Sequence, residues 1–490
     1  MLVYSATNMS VGPYLDNGRY LALAQAMGLI FGMLSQLLLI RNLDLSNYGV
    51  LILLIDFSFT IAIIIDFGIP TWASRQWDGE GESVRNLIHK IMNIEGYNFL
   101  IVSAVTVIMI FIFDINNSFP TILIVFSTYI VIVTEPLRLG LRMIKIPKFE
   151  ALSRIMERFF TFSIYLLLSE LGNLNFLMVS VAIFFSTLVT FILTVMIFYF
   201  KVNSNSEKEY SFQYFETLKK SLPFTLALAV YPLLGRIDKI VLGIMKTVEV
   251  VGIYNIGWII ISVGFSISSI LRQSINPLLA GKKNEIERLN LIKQIRYLPI
   301  GLIIIGIPSC IGISFYFMEL LFPAEYLKSN SVFIFSGYYL VIAMIPSWIW
   351  SMLSASNLEN TKFANDTWLF SKILAIMVII NALIDVILIS KFTIFGIIIG
   401  TTVSQMVCYI LLINNIQSKK YWTWTFRNEF VSALFMSIGL ISYSLFKNME
   451  GGQENFHIYS ISTFLLGYFL MVKVLFQSFR NRNNEIYNLQ

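Results

Sequence analysis

The chain has 490 residues, of which 57% are hydrophobic and 13% charged, and its mean hydropathy is +0.74. Soluble domains carry about 25% charged residues, so a water-soluble fold is excluded and a polytopic membrane protein is expected. The net charge of +6 then reports topology, not nucleic-acid binding. Cys310 and Cys408 both lie in apolar runs, which argues against a disulfide framework. His89 and His457 are too far apart in sequence to build a metal cluster, and no cofactor is implied. Met1 to Asn17 lacks the basic start and apolar core of a cleavable signal.

Taken in order, the apolar runs predict helices near Tyr20–Ile40, Val50–Ile69, Asn93–Phe113, Phe119–Leu137, Ile155–Ser169 and Leu174–Phe200. A polar stretch follows. Eight further runs lie near Leu222–Met245, Val251–Ile275, Tyr297–Leu320, Ser331–Ser354, Trp368–Ile389, Ile394–Ile416, Phe430–Phe446 and Ile458–Val474. The result is an all-α protein of about fourteen spans, or twelve if the last hairpin is lost. With the N-terminus inside, 26 Lys and Arg fall on the cytoplasmic side and 5 on the other, while 4 remain within spans. Such a split is what the positive-inside rule demands of an N-in, C-in chain.

The chain also repeats itself. Asn47-Tyr48-Gly49-Val50-Leu51 stands between spans one and two, and Val250-Val251-Gly252-Ile253-Tyr254 stands between spans seven and eight. Each set continues into a basic amphipathic linker, DGEGESVRNLIHKIMNIE or GKKNEIERLNLIKQIR. Two six-helix lobes, 1–200 and 222–416, joined by a cytoplasmic linker at 201–221, are therefore expected, with a C-terminal hairpin and tail at 417–490.

Several words taken together resemble a known family. They are the opening IRNLDLSNYGVLILLIDFSFTIAIIIDFGIPTWASRQ, KKSLPF, RIDKIVLG with VGIYNIGW, LLFPAEYLKSNSVFIF, and NALIDVILISKFTIFGIIIGTTVSQM. This ordered series, from about Arg19 to Ile416, resembles polysaccharide exporters and O-antigen flippases of the multidrug/oligosaccharidyl-lipid/polysaccharide (MOP) superfamily. Asp385 and Ser390 stand where Asn and Pro are expected, and Thr393 where Gly is common. The resemblance implies lobes arranged as in multidrug-extrusion (MATE) transporters. It implies alternating-access flipping of an undecaprenyl-pyrophosphate-linked oligosaccharide, such as an O-antigen, capsule or lipopolysaccharide repeat unit. The setting would be a bacterial inner membrane, with the lipid bilayer and a glycan polymerase as partners.

A pyrophosphate needs cations, and few lie within the spans. Arg236 sits about fourteen residues into span seven, roughly 21 Å deep, beyond reach of the cytoplasmic surface. It is a candidate pyrophosphate ligand or, alternatively, the partner of an acid on another helix; Asp238, two residues on, faces away. Lys239 is read as snorkelling outward. Arg158 and Lys372 lie close enough to the cytoplasmic side to snorkel, or to meet an entering headgroup. Asp56, Asp66 and Asp238 are coupling or ion-pair candidates, with Asp66 also placed to cap the turn at Gly68. Glu157 is expected to pair locally with Arg154, and Glu135 to be structural. A cation-coupled multidrug exporter of the same fold is the alternative function. A membrane enzyme is disfavoured: no nucleophilic triad, zinc motif or P-loop is present, and the outer loop at Glu319 to Asn330 is short.

Overall fold

The computed structural model describes residues 12–74, 84–112, 118–202, 213–280, 285–316, 322, 337–363, 367–414, 424–448 and 454–487. Of the expected inter-lobe linker at 201–221, residues 203–212 lie outside the described residues, and so, apart from Phe322, does the loop LLFPAEYLKSNSVFIF. Among the described residues there are sixteen helices and no strands. Eleven of these described helices are long and apolar enough to cross a membrane. The protein is thus all-helical and multi-pass.

The chain divides into two compact units, Met1–Leu38 with Ile61–Ser221, and Leu39–Thr60 with Leu222–Gln490. The first contains most of α1 (Gly12–Asn42), the last turns of α2 (Leu45–Asp66), α3 (Ile69–Ser74), α4 (Val84–Ile112), α5 (Ser118–Met143), α6 (Pro147–Glu170) and α7 (Phe176–Lys201). The basic stretch VRNLIHKIMNIE forms the first turns of α4 and is continuous with the span that follows. Phe67 and Gly68 are both left-handed (φ 44° and 65°), which ends α2, and the Gly68 amide donates to the Asp66 carboxylate. The expected cap at this turn is therefore present. α5 packs against α4, α6 and α7, around a core of Ala62, Ile65, Val102, Val125 and Tyr129.

The second unit contains the N-terminal part of α2, most of α8 (Tyr214–Met245), α9 (Val248–Ala280), α10 (Glu285–Ile295), α11 (Tyr297–Tyr316), α12 (Gly337–Phe363), α13 (Thr367–Phe392), α14 (Ile394–Asn414), α15 (Trp424–Asn448) and α16 (Glu454–Tyr487). α12 is the centre of this unit. Every residue from Leu340 to Ala355 is buried, and α9, α11, α14 and α15 pack around it. A helix apolar on every side belongs in such a place. Its Trp348 fits against Gly264 and Gly306, where added Cβ atoms would lie 3.0 and 2.3 Å from the indole.

The two repeated words meet each other. Asp44 caps α2 by accepting the Asn47 amide at 3.2 Å. A Cβ on Gly49 would lie 1.9 Å from the Val248 carbonyl oxygen, and one on Gly252 would lie 3.2 Å from the Leu45 carbonyl oxygen. Asn255 also donates to the Tyr48 hydroxyl at 2.6 Å. The glycines of the two words serve this close approach.

The C-terminal hairpin is bonded into the second unit. Pro308 in α11 cannot donate to the carbonyl four residues before it, which belongs to Ile304. The Tyr468 hydroxyl of α16 donates to that carbonyl instead, at 2.9 Å. Backbone polar groups released at membrane depth require such substitutes.

Between α13 and α14, Thr393 has φ 49°. A left-handed conformation costs an L-residue about 1–2 kcal/mol, and a β-branched side chain suffers most. Thr393→Gly is expected to stabilise the protein by about 1 kcal/mol once glycine's larger backbone entropy is counted. A higher thermal-unfolding midpoint in detergent would show this; a lower one would mean that the Thr393 side chain packs favourably enough to offset its backbone.

Candidate functional site

Three polar clusters occupy helices that otherwise bury aliphatic side chains. The first joins α2 and α8. Arg236 Nε lies 3.5 Å from Asp56 Oδ1, and Lys239 Nζ lies 2.9 Å from Asp56 Oδ2. Residues three apart on a helix share a face, so α8 presents both cations to α2 together. The Arg236 guanidinium also covers the Phe59 ring at 4.4 Å, and the Lys239 ammonium stands 5.5 Å from the Trp258 ring centroid. Gly235 makes room for that indole, since a Cβ there would come within 2.1 Å of it. Among the described residues, Arg236 and Lys239 thus share Asp56 and rest on aromatic faces that attract cations without neutralising them. Lys239 is buried at 5% exposure, so the expected snorkelling does not occur. Asp56 is near enough that the ammonium stays inside.

Asp238 is on the opposite side of α8, as helical phase predicts, and forms the second cluster with α9, α13 and α14. Its Oδ2 accepts from the Tyr254 hydroxyl and the Thr401 hydroxyl, each at 2.7 Å, and its Oδ1 accepts from Asn381 Nδ2 at 2.7 Å. The same Asn381 nitrogen reaches Asp385 Oδ2 at 2.9 Å, and Ser404 donates to Asn381 Oδ1 at 3.1 Å. Asp238, Asp385, Asn381 and Ser404 are all fully buried. Asp385 Oδ1 has no hydrogen-bond partner among the described residues, and it lies where a Cβ on Gly400 would fall. Two carboxylates bridged by one amide, with hydroxyls around them, form a compact oxygen-rich cluster in which a shared proton would relieve the repulsion of like charges.

The third cluster fastens the start of α11 to α15. Arg296 donates from Nε to Glu429 Oε1 at 2.8 Å, pairs through a second nitrogen with Glu429 Oε2, and reaches the Leu353 carbonyl at 3.1 Å. The Tyr409 hydroxyl donates to Glu429 at 3.2 Å. Arg296 is 2% exposed and Glu429 0%.

In the first unit, α5 and α6 are laced by ion pairs. Arg138 bonds Glu135 at 2.8 Å and Glu157 at 2.7 Å, Arg154 bonds Glu135 at 2.6 Å, and Arg142 pairs with Glu150. Glu157 therefore pairs with Arg138 on the neighbouring helix, not with Arg154 as its spacing suggests. Asp66 has Glu135 and the buried Glu95 within electrostatic range. Neither carboxylate oxygen of Glu95 has a hydrogen-bond partner among the described residues.

The structure thus brings Asp56 to Arg236, gathers a shell around Asp238, and places Asp66 at a turn. Arg158 and Lys372 are exposed on α6 and α13 and belong to none of these clusters. Asn381, Asp385, Thr401 and Tyr254 were not singled out by sequence reasoning as site residues. The available signal was Asn381 and Asp385 one turn apart within an apolar span, where polar side chains require partners.

These polar clusters lie on helices of a multi-pass, all-helical protein. The polysaccharide biosynthesis protein family model matches residues 14–280, more than half of the chain, and the chain belongs to that family. No curated protein sequence matches it. Among solved structures, the lipid II flippase MurJ in an inward closed conformation aligns over 94% of this chain and 99% of its own, at 12% identity and a TM-score of 0.59. A MOP superfamily transporter from Pyrococcus furiosus aligns over 83% of this chain and 96% of its own, at 12% identity and a TM-score of 0.55. The Vibrio cholerae MATE transporter VcmN aligns over 84% and 98%, at 10% identity and a TM-score of 0.56. At such identities the likeness establishes a shared MOP fold.

Proposed function

We propose that the protein flips an undecaprenyl-pyrophosphate-linked oligosaccharide from the cytoplasmic to the periplasmic leaflet of a bacterial inner membrane, where a glycan polymerase takes it up. The observation carrying this reading is the meeting of Arg236 and Lys239 at Asp56, beside the Phe59 and Trp258 rings, in a member of the polysaccharide biosynthesis protein family. A pyrophosphate offers acceptors for the guanidinium fork and the ammonium, and the neighbouring Phe59 and Trp258 rings suit sugar faces. The lipid tail remains in hydrocarbon, so only the charged headgroup and glycan need a polar route. The six-plus-six division into residues 1–200 and 222–416 belongs to this reading, as does alternating access. Proteoliposome transport of a labelled lipid-pyrophosphate sugar, set beside a cationic dye, tests it: movement of the dye alone would overturn it.

The Asp238 cluster supports coupling to a proton, and it is the feature that favours a cation-coupled drug exporter as the second reading. Asp238→Asn retains the size of the side chain and removes the charge. It is expected to slow transport at least ~10-fold and to flatten its dependence on pH, with normal protein levels. An unchanged pH dependence would leave Asp238 a packing group and place the energy source in the membrane potential.

A further inference from the structure

The exposed face of α4 carries a gradient of polarity that the transport reading does not use. Lys90, Asn93, Tyr97 and Ile101 recur at three- and four-residue spacing and are all exposed, so they stack in one stripe. From ammonium through amide and phenol to aliphatic, the stripe spans about 16 Å at 1.5 Å per residue. Ile94 and the ring of Tyr214, from the first turn of α8, complete an open groove of about 440 Å³.

The groove is preformed. The Tyr214 hydroxyl donates to Asn98 Oδ1 at 2.6 Å, and Asn98 Nδ2 donates to the Ile65 carbonyl at 3.0 Å, so both walls are fixed from behind. Its charged end lies in a basic, aromatic-lined band. Arg85 covers the Tyr199 ring at 4.9 Å, the Tyr199 hydroxyl meets His89 at 2.9 Å, and Lys201 covers Phe149 at 5.2 Å. Glu216, close to Tyr214 in sequence, is held by Lys220 at 2.6 Å. Bands of this composition mark the membrane–water interface.

We propose that this groove is a binding site for one anionic phospholipid of the leaflet that α4 enters through Lys90. Lys90, Asn93 and Tyr97 donate to the phosphate, and an acyl chain lies over Ile94 and Ile101. Charge selects the occupant: a lone phosphodiester anion complements Lys90, whereas a zwitterionic lipid brings its own ammonium to a basic band. The assignment requires only that α4 spans the membrane and is independent of what the protein transports.

The test uses delipidated full-length protein in neutral detergent, titrated with phosphatidylglycerol or phosphatidylcholine. Phosphatidylglycerol is expected to raise the thermal-unfolding midpoint more than phosphatidylcholine. Lys90→Gln, an exposed substitution, is expected to remove at least half of that excess and to reduce by one the number of phosphatidylglycerol molecules retained in native mass spectra. Lys447→Gln, at the end of α15, should retain the full excess. Equal responses to the two lipids, or an undiminished excess in Lys90→Gln, would overturn the site. A Lys90-dependent response to undecaprenyl pyrophosphate with none to phosphatidylglycerol would assign the groove to the lipid carrier and refute the phospholipid.

Discussion

Proteoliposomes carrying Arg236→Ala are expected to flip a lipid-pyrophosphate oligosaccharide at least ~30-fold more slowly than the parent, because the proposed guanidinium–pyrophosphate contact is lost and truncating one member of such a charge pair costs about 2–5 kcal/mol. The fold should survive, since Lys239 remains 2.9 Å from Asp56 and keeps that carboxylate paired. Arg236→Lys keeps the charge without the bidentate fork and should retain part of the rate. Asp56→Asn makes the sharper comparison. It removes the charge of the carboxylate that both cations share, so the anion should bind more tightly and leave more slowly, lowering KM and kcat together. Energy enters through the same residues. A headgroup of charge near −2 moving outward gains ~2.3 kcal/mol per charge per 100 mV of inside-negative potential. A cation fixed to α8 stabilises that charge at one depth without travelling with it, so the drive is preserved over the rest of the path. If Arg236→Ala accumulates normally and transports at the parent rate, Arg236 is only a partner of Asp56, and the headgroup site must be sought at Arg158 and Lys372.

Glu429→Ala is expected to destabilise the protein by about 3–5 kcal/mol, enough to deplete it from the membrane, since it strands the buried guanidinium of Arg296. Arg296 would retain the Leu353 carbonyl, at 3.1 Å, but lose its counter-charge. Glu429→Gln keeps an acceptor and should fall between parent and alanine. The double variant Arg296→Met with Glu429→Leu should recover most of the loss, because a buried ion pair replaced as a unit by apolar side chains is often neutral or better. Thermal unfolding in detergent separates these outcomes. A Glu429→Ala protein that melts with the parent would show that the pair contributes nothing to holding α15 in place.

The all-helical, multi-pass architecture is legible in the residues, because apolar length is set one segment at a time. The opposed faces of Arg236 and Asp238 are equally legible, since two residues turn a helix by about 200°. Partners across helices are not. Lys239 has a stem long enough to reach water, and only the packing of α2 against α8 reveals that Asp56 is nearer. Glu157 has Arg154 at local spacing, yet Arg138 on α5 offers better geometry, at 2.7 Å. Asp385 reads in the sequence as a departure from the family resemblance; in three dimensions it shares the Asn381 amide with Asp238. The C-terminal hairpin carries no distinctive word, and its bonds to the rest of the unit, Glu429 to Arg296 and Tyr468 to a carbonyl freed by Pro308, cross between helices far apart in sequence.

The contact between the repeated turns is reciprocal. Gly49 lies against the residue four places before Gly252, and Gly252 against the residue four places before Gly49. Reciprocity of this kind characterises isologous association, in which one patch recognises its own copy. The two turns therefore meet as two copies of one surface would, within a single polypeptide. The likeness ends there: at the same distances from its glycine, the opening helix carries Met33, Ser35 and Gln36 where the later one carries Arg236, Asp238 and Lys239.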